Sequence, residues 1–118
     1  MTGRPTGEGK VRQAASAARD KKAVDLVVLD VQTLSSVADY FLLCTGRSVT
    51  HVATIADAIR DGLKELGVRP LHSEGVSQSG WILLDYGDVL VHVFLEETRD
   101  YYALERLWGD APAVSLEG

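Results

Sequence analysis

"WILLDYGDVLVHVF", residues 81–94, sets two apolar, partly β-branched runs on either side of a glycine. Such runs read as strands, and Gly87 supplies the positive φ that a tight hairpin demands. The spacing predicts strands over 81–85 and 88–94 across a Tyr86-Gly87 turn, necessarily antiparallel. In that pairing residue 85 faces 88, 83 faces 90 and 81 faces 92. One face then carries Trp81, Leu83, Asp85, Asp88, Leu90, His92 and Phe94; the other carries Ile82, Leu84, Val89, Val91 and Val93. The second face is wholly apolar and reads as core, whereas the first is mixed.

Outward from the hairpin, "SVTHVATIADAIRDGLKELG" (48–67) is the clearest helix. Ser48 suits the N-cap, Val52, Ile55, Ala56, Ile59, Leu63 and Leu66 recur at helical spacing, and Gly67 suits the position after the C-cap. Gly62 inside it weakens the helix by about 1 kcal/mol relative to Ala, so packing must hold it. "YFLLCTG" (40–46) reads as a strand, and "DLVVLDV" (25–31) as a strand buried on both faces. "VRPLHSEG" (68–75) is a strand that Pro70 confines to an edge or a bulge. Helices are predicted over 10–22 and 96–108. The hairpin is antiparallel, while the strand-helix-strand unit at 40–75 favours a parallel pair. The expected fold is therefore α/β (α+β): a mixed sheet of about five strands with helices packed on it. One domain over 9–110 lies between a disordered tail, 1–8, and a C-terminal tail, 111–118.

The 118 residues suffice for one domain with a real core, and 46% of them are hydrophobic. A net charge of −5 argues against simple binding to nucleic-acid phosphates and permits a cationic partner. The single cysteine, Cys44, lies in an apolar run with no activating group nearby, so it reads as core and suits a reducing compartment. The polar start "MTGRPTGEGK" is no secretory signal, and no apolar run approaches the ~20 residues of a membrane span. A soluble cytoplasmic protein is expected.

Three stretches could carry chemistry. Asp85 and Asp88, opposed at the turn with His92 further along, could be turn and surface chemistry, a partner contact, or a metal or acid–base site. Two carboxylates without a convergent third ligand hold a metal poorly, and aspartate is ordinary in turns. "TGRS" (45–48), a strand end, a glycine and a helix start, could cradle a phosphate. It resembles the strand-Gly-Ser-helix start of nucleotidyltransferases, which require paired carboxylates on the following strand. His72 and Glu74 stand there instead. In the last helix Tyr101, Leu104, Leu107 and Trp108 form the core stripe; Tyr102 falls off it and could anchor an interface.

"DLVVLDV", "ADYFLLCTGRS", "IADAI", Glu74-Gly75, "WILLDYGDVLVHVF" and "RDYYALERLW" together resemble the ribosomal silencing factor family, RsfS, also called Iojap-like, over most of residues 10–110. That family normally shows Gln or a similar residue near His51, so the capping box is altered. The resemblance implies a nucleotidyltransferase-like but non-catalytic fold that needs no cofactor or metal. It also implies a bacterial protein that docks on protein fourteen of the large ribosomal subunit, blocks joining of the small subunit and lowers translation when nutrients are scarce. Trp81 and Tyr102 are the docking aromatics by the family motif. Asp85 and His92 complete the expected face. Glu74, Asp88 and Glu105 are the acids that charge makes available to a cationic partner. No membrane and no sequence-specific nucleic-acid contact are expected. A nucleotide-binding enzyme using the Gly46-Ser48 turn, and a structural homodimer through the hairpin face, remain alternatives.

Overall fold

The hairpin forms two residues out of the predicted register. A computed structural model describes residues 6–33, 36 and 38–97. Trp81 pairs with Phe94, Leu83 with His92 and Asp85 with Leu90. Tyr86 N–H donates to Val89 O at 2.9 Å, which makes Gly87 and Asp88 the loop residues. Gly87, at φ +88°, sits at the first loop position, where a type II′ turn requires glycine. The expected opposition of Asp85 and Asp88 therefore does not exist. Asp85 Oδ1 instead accepts from Gly87 N–H at 2.8 Å, and Asp88 Oδ1 accepts from Lys10 Nζ at 2.9 Å. Tyr86, expected in the turn, is buried in the core; burial pushes its hydroxyl up to about 12. A shift of two leaves every side chain that stays in the ladder on its predicted face; Asp88 leaves the ladder for the loop and α1.

Five strands form one mixed sheet: β1 (Val24–Asp30), β2 (Tyr40–Gly46), β3 (His72–Glu74), β4 (Trp81–Asp85) and β5 (Val89–Leu95), in the order β1-β2-β5-β4-β3. The parallel pair is β2 with β5, running from Tyr40↔Val89 to Gly46↔Leu95. The strand-helix-strand expectation holds only for direction: β3 runs parallel to β2, but β5 and β4 lie between them. Pro70 precedes β3, which is an exposed edge as expected. β1 is the other edge, not a strand buried on both faces. A bulge sets Asp25 and Leu26 against one residue of β2, with Asp25 at φ +49°. Bulges of this kind twist an edge away from stray pairing.

Helices α1 (Gly7–Asp20) and α2 (Val49–Glu65) cover one sheet face. Their buried stripes, Val11, Ala14, Ala15 and Ala18 on α1 and Val52, Ile55, Ala56, Ile59 and Leu63 on α2, meet Leu42, Cys44, Leu84, Val91 and Val93. Burying a side chain of Leu or Ile size contributes about 1.5–3 kcal/mol, which offsets the weakness of Gly62. The same glycine lets the helices approach: a Cβ there would lie 3.3 Å from Ala17 Cβ, and Gln13 Nε2 donates to Gly62 O at 3.2 Å. α1 begins at Gly7, not Lys10, because Thr6 Oγ1 accepts from Gly9 N–H and caps it. Ser48 caps α2 as predicted, accepting from His51 N–H at 3.1 Å, and Gly67 follows its C-cap at φ +78°. Glu96 and Glu97 are helical; the remainder of the helix predicted over 96–108, with Tyr101, Tyr102, Leu104, Glu105 and Trp108, lies outside the described residues.

Candidate docking face

The sheet face away from α1 and α2 is built on aromatic rings. Residues 41, 43, 81, 92 and 94 share it by strand alternation and register. Leu29, Phe41, Leu43 and Phe94 are buried here, with Val27, Trp81 and Leu90 half-buried beside them. Trp81 lies near-parallel to Phe94 (ring centroids 5.6 Å apart, 20°) and to His92 (5.9 Å, 24°), while Phe41 meets His92 edge-on at 5.4 Å.

His92, expected as a contact residue, is only 6% exposed. Trp81 Nε1–H donates to its Nδ1 at 3.2 Å, which fixes the neutral ring as the Nε2–H tautomer. That Nε2–H has no hydrogen-bond partner among the described residues. Burial alone lowers the imidazole to about 4, because a charged ring would lose its water without gaining an acid. His92 therefore positions the indole from below, and it is Trp81 that reaches the surface.

Around Trp81 lies a cavity of about 200 Å³ lined by Glu74, Gly75, Ser79, Trp81 and Leu83. Gly75, at φ +83°, is indispensable to its wall: a Cβ there would collide with the carbonyl oxygen of Trp81. Ser79 Oγ lies 2.7 Å from Val76 O and 3.1 Å from Trp81 O, which ties the loop to the base of β4. Glu74 on the rim is exposed and lies 2.8 Å from His72 Nε2. Leu71 (77% exposed) and Val76 (58%) flank β3 at either end. An indole wall with a carboxylate on its rim suits an apolar or cationic side chain from another molecule. Of the predicted site residues, Trp81, His92 and Glu74 come together. Asp85 and Asp88 sit at the opposite end of the hairpin in bonds of their own, and Tyr102 and Glu105 lie outside the described residues. Sequence reasoning missed Gly75, Ser79 and Leu83 as the wall of this cavity.

The Gly46-Ser48 turn is tied into its own structure. A Cβ on Gly46 would lie 2.8 Å from the backbone nitrogen of Val52, so this glycine serves close packing. Arg47 N–H donates to His51 Nδ1 at 2.9 Å, and His51 and Val52 N–H are both bonded to Ser48. The strand required to supply carboxylates, β3, is at the far edge of the sheet. No group of three or more potential metal ligands occurs among the described residues, nor does any helix long and apolar enough to cross a membrane.

Comparison with known proteins points the same way. The chain is 48% identical over 104 residues to the ribosomal silencing factor RsfS of Bacillus subtilis, covering 88% of each. It is 35% identical over 102 residues to the chloroplastic protein Iojap of Zea mays, covering 86% of this chain and 44% of that one. A crystal structure of a Chromobacterium violaceum protein superposes with a TM-score of 0.85 at 38% identity, over 88% of this chain and 87% of that one. The family model described as "Ribosomal silencing factor during starvation" matches residues 5–118, and the chain belongs to that RsfS family.

Proposed function

We propose that this chain binds the large ribosomal subunit through its protein fourteen and blocks joining of the small subunit by occupying the joining surface. The observation that carries the reading is Trp81: an indole held by His92 and Phe94, half-exposed, beside a cavity with Glu74 on its rim. A pre-organised aromatic anchor loses little entropy on binding. Its carboxylate neighbour and the net charge of −5 suit a cationic ribosomal protein. Tyr102 joins the face on the family motif and Glu105 on its charge; Asp85 and Asp88 serve the turn and α1. Steric occlusion requires no cofactor. Among the described residues, the amides of Arg47 and His51 are already bonded within the chain, which disfavours a nucleotide-binding enzyme.

The test is co-sedimentation of the chain with purified large subunits, followed by addition of small subunits. Wild type is expected to pellet with large subunits and to reduce joined ribosomes. Truncating a desolvated aromatic anchor typically costs at least about 2 kcal/mol, so Trp81→Ala should bind roughly thirtyfold more weakly at about 1.4 kcal/mol per decade. A folded Trp81→Ala protein that binds like wild type would place the docking face elsewhere. Wild type that fails to pellet would end the reading.

A further inference from the structure

We infer that a corner of this acidic protein, formed by Arg19, Lys21, Lys22 and Arg47, binds the phosphate backbone of an RNA duplex. Two unfavourable features converge there. The first is at the end of α1. Lys22 N–H donates to Arg19 O and Ala23 N–H to Ala18 O, the paired bonds of a Schellman cap, whose pivotal residue takes a left-handed conformation and is usually glycine. Lys22 is that residue, at φ +62°. α2 closes with the same two bonds, Gly67 N–H to Lys64 O and Val68 N–H to Leu63 O, around Gly67. One chain thus builds the same cap twice and places a lysine where glycine carries no steric cost.

The second feature is the meeting of like charges. The β1–β2 ladder ends at Val24↔Thr45, and two residues further along each strand stand Lys22 and Arg47. Both lie beyond the ladder, where the two chain segments bring cations toward one another, and like charges repel. His51 fixes this approach: its Nδ1 accepts from Arg47 N–H at 2.9 Å while its Nε2–H donates to Lys21 O at 2.7 Å. One imidazole therefore clamps the two cationic segments together. Arg19, Lys21, Lys22 and Arg47 are all exposed, and none makes an ion pair among the described residues. The acids nearest in sequence are Asp20 and Asp25, and Glu96 and Glu97 share an open cavity with Arg47. A bound polyanion would offset the repulsion, and a phosphate contact gives the lysine at this left-handed position a use that glycine could not serve.

RNA is the polyanion the observations favour. The choice rests on the proposed ribosomal site, whereas the cationic corner stands independently of it. Arg47 and Trp81 lie at the same end of the sheet, since Gly46 pairs with Leu95 and Trp81 with Phe94. β1 and β4 are three strand spacings apart, about 14 Å, so one large partner can present a protein to Trp81 and RNA to the corner. Four cations alone would hold the chain to a lipid surface only weakly, and firm attachment would need apolar side chains to insert as well. Of the exposed large hydrophobics only Val49, at 37%, is near this corner among the described residues.

The experiment is anisotropy titration of the full chain against a fluorescein-labelled RNA hairpin duplex of mixed sequence at 50 and 200 mM salt. Releasing counterions from four phosphates gives a log–log slope of about −3 to −4, an affinity loss on the order of 100-fold between those salts. Lys22→Gly should flatten the slope by about one while the melting temperature holds or rises, because glycine accepts this φ. A merely structural lysine would not give that pairing. The combined Arg19→Gln, Lys21→Gln, Lys22→Gly, Arg47→Gln protein should lose duplex binding, and Trp81→Ala should keep it. The inference is overturned if wild type ignores the duplex at 50 mM salt, if the combined variant binds it equally, or if phosphatidylglycerol vesicles or polyglutamate are bound more tightly than RNA. Large-subunit binding without duplex binding would sink this inference and leave the docking reading intact. Variant-sensitive duplex binding without subunit binding would do the reverse.

Discussion

Acid should unfold this protein partly through one histidine. Folded His92 titrates at about 4, whereas an unfolded histidine titrates near 6.5. Between those values the unfolded chain binds a proton that the folded chain refuses. Stability is therefore fully present above about pH 6.5 and falls as pH drops toward the folded value. The loss attributable to His92 is about 2 kcal/mol at pH 5 and about 3 kcal/mol at pH 4. That is a large fraction of the ~5–15 kcal/mol by which a domain of this kind is stable. The cause is geometric: the ring lies under Trp81 between Phe41 and Phe94, and its Nδ1 already accepts the indole N–H.

The assay is urea unfolding from pH 7.5 to 4, comparing wild type with His92→Phe. Phenylalanine fills the slot between apolar rings and cannot take up a proton. The variant loses the acceptor for Trp81 Nε1–H, a pH-independent cost of about 1 kcal/mol. Carboxylates shared by both proteins, such as Asp88 with Lys10, cancel in the comparison. The wild-type advantage should shrink by about 2 kcal/mol between pH 7.5 and 5, and the His92 ring protons should titrate near 4 by NMR. A stability difference that stays constant with pH, or a ring titrating near 6.5, would refute the argument.

Two backbone clamps give further tests. Gly75→Ala should cost about 2–4 kcal/mol in urea unfolding, from a positive φ plus collision with Trp81 O. Gly67→Ala, with the same sign of φ but nothing within 4 Å, should cost only about 1–2 kcal/mol; equal losses would show that the wall of the Trp81 cavity is not tightly fitted. His51→Ala should destabilise by about 1–2 kcal/mol through loss of its two bonds to Arg47 N–H and Lys21 O. His51→Gln, able to restore one of them, should fall between; a Gln variant no better than Ala would mean the imidazole's span is essential.

Parity survived sequence reading better than pairing did. Apolar alternation assigns each side chain of the hairpin to a face, and that assignment is unaffected by a register shift of two. Register depends on which residues close the turn. Gly87 occupies the first loop position, as a type II′ turn requires, and so moves Asp88 into the loop. The same local grammar made α2 legible from end to end, with Ser48 and Gly67 at its caps. Strand order is different in kind. β5, the last strand described, inserts between β2 and β4, a pairing that spans most of the domain and leaves no mark in any short window. "DLVVLDV" therefore looked like a central strand although it forms an edge.

His92 and Lys22 show why the site was only partly legible. His92 shares a face with Asp85, and a strand carrying both reads as wet along its length. Burial is instead decided across strands: Phe41, Trp81 and Phe94 close around one ring of that face while its turn end stays polar. Lys22 was obscured for another reason. Helix-forming residues run on through Lys21 and Lys22, so periodicity carries α1 too far. A helix whose cap lacks glycine gives no stop signal of the kind Gly67 provides. Net charge hid the corner as well, because −5 is a sum over the whole chain, and among the described residues four cations outside any ion pair lie where α1 ends and α2 begins. An average charge excludes a uniformly basic surface, but it carries no information about a local one.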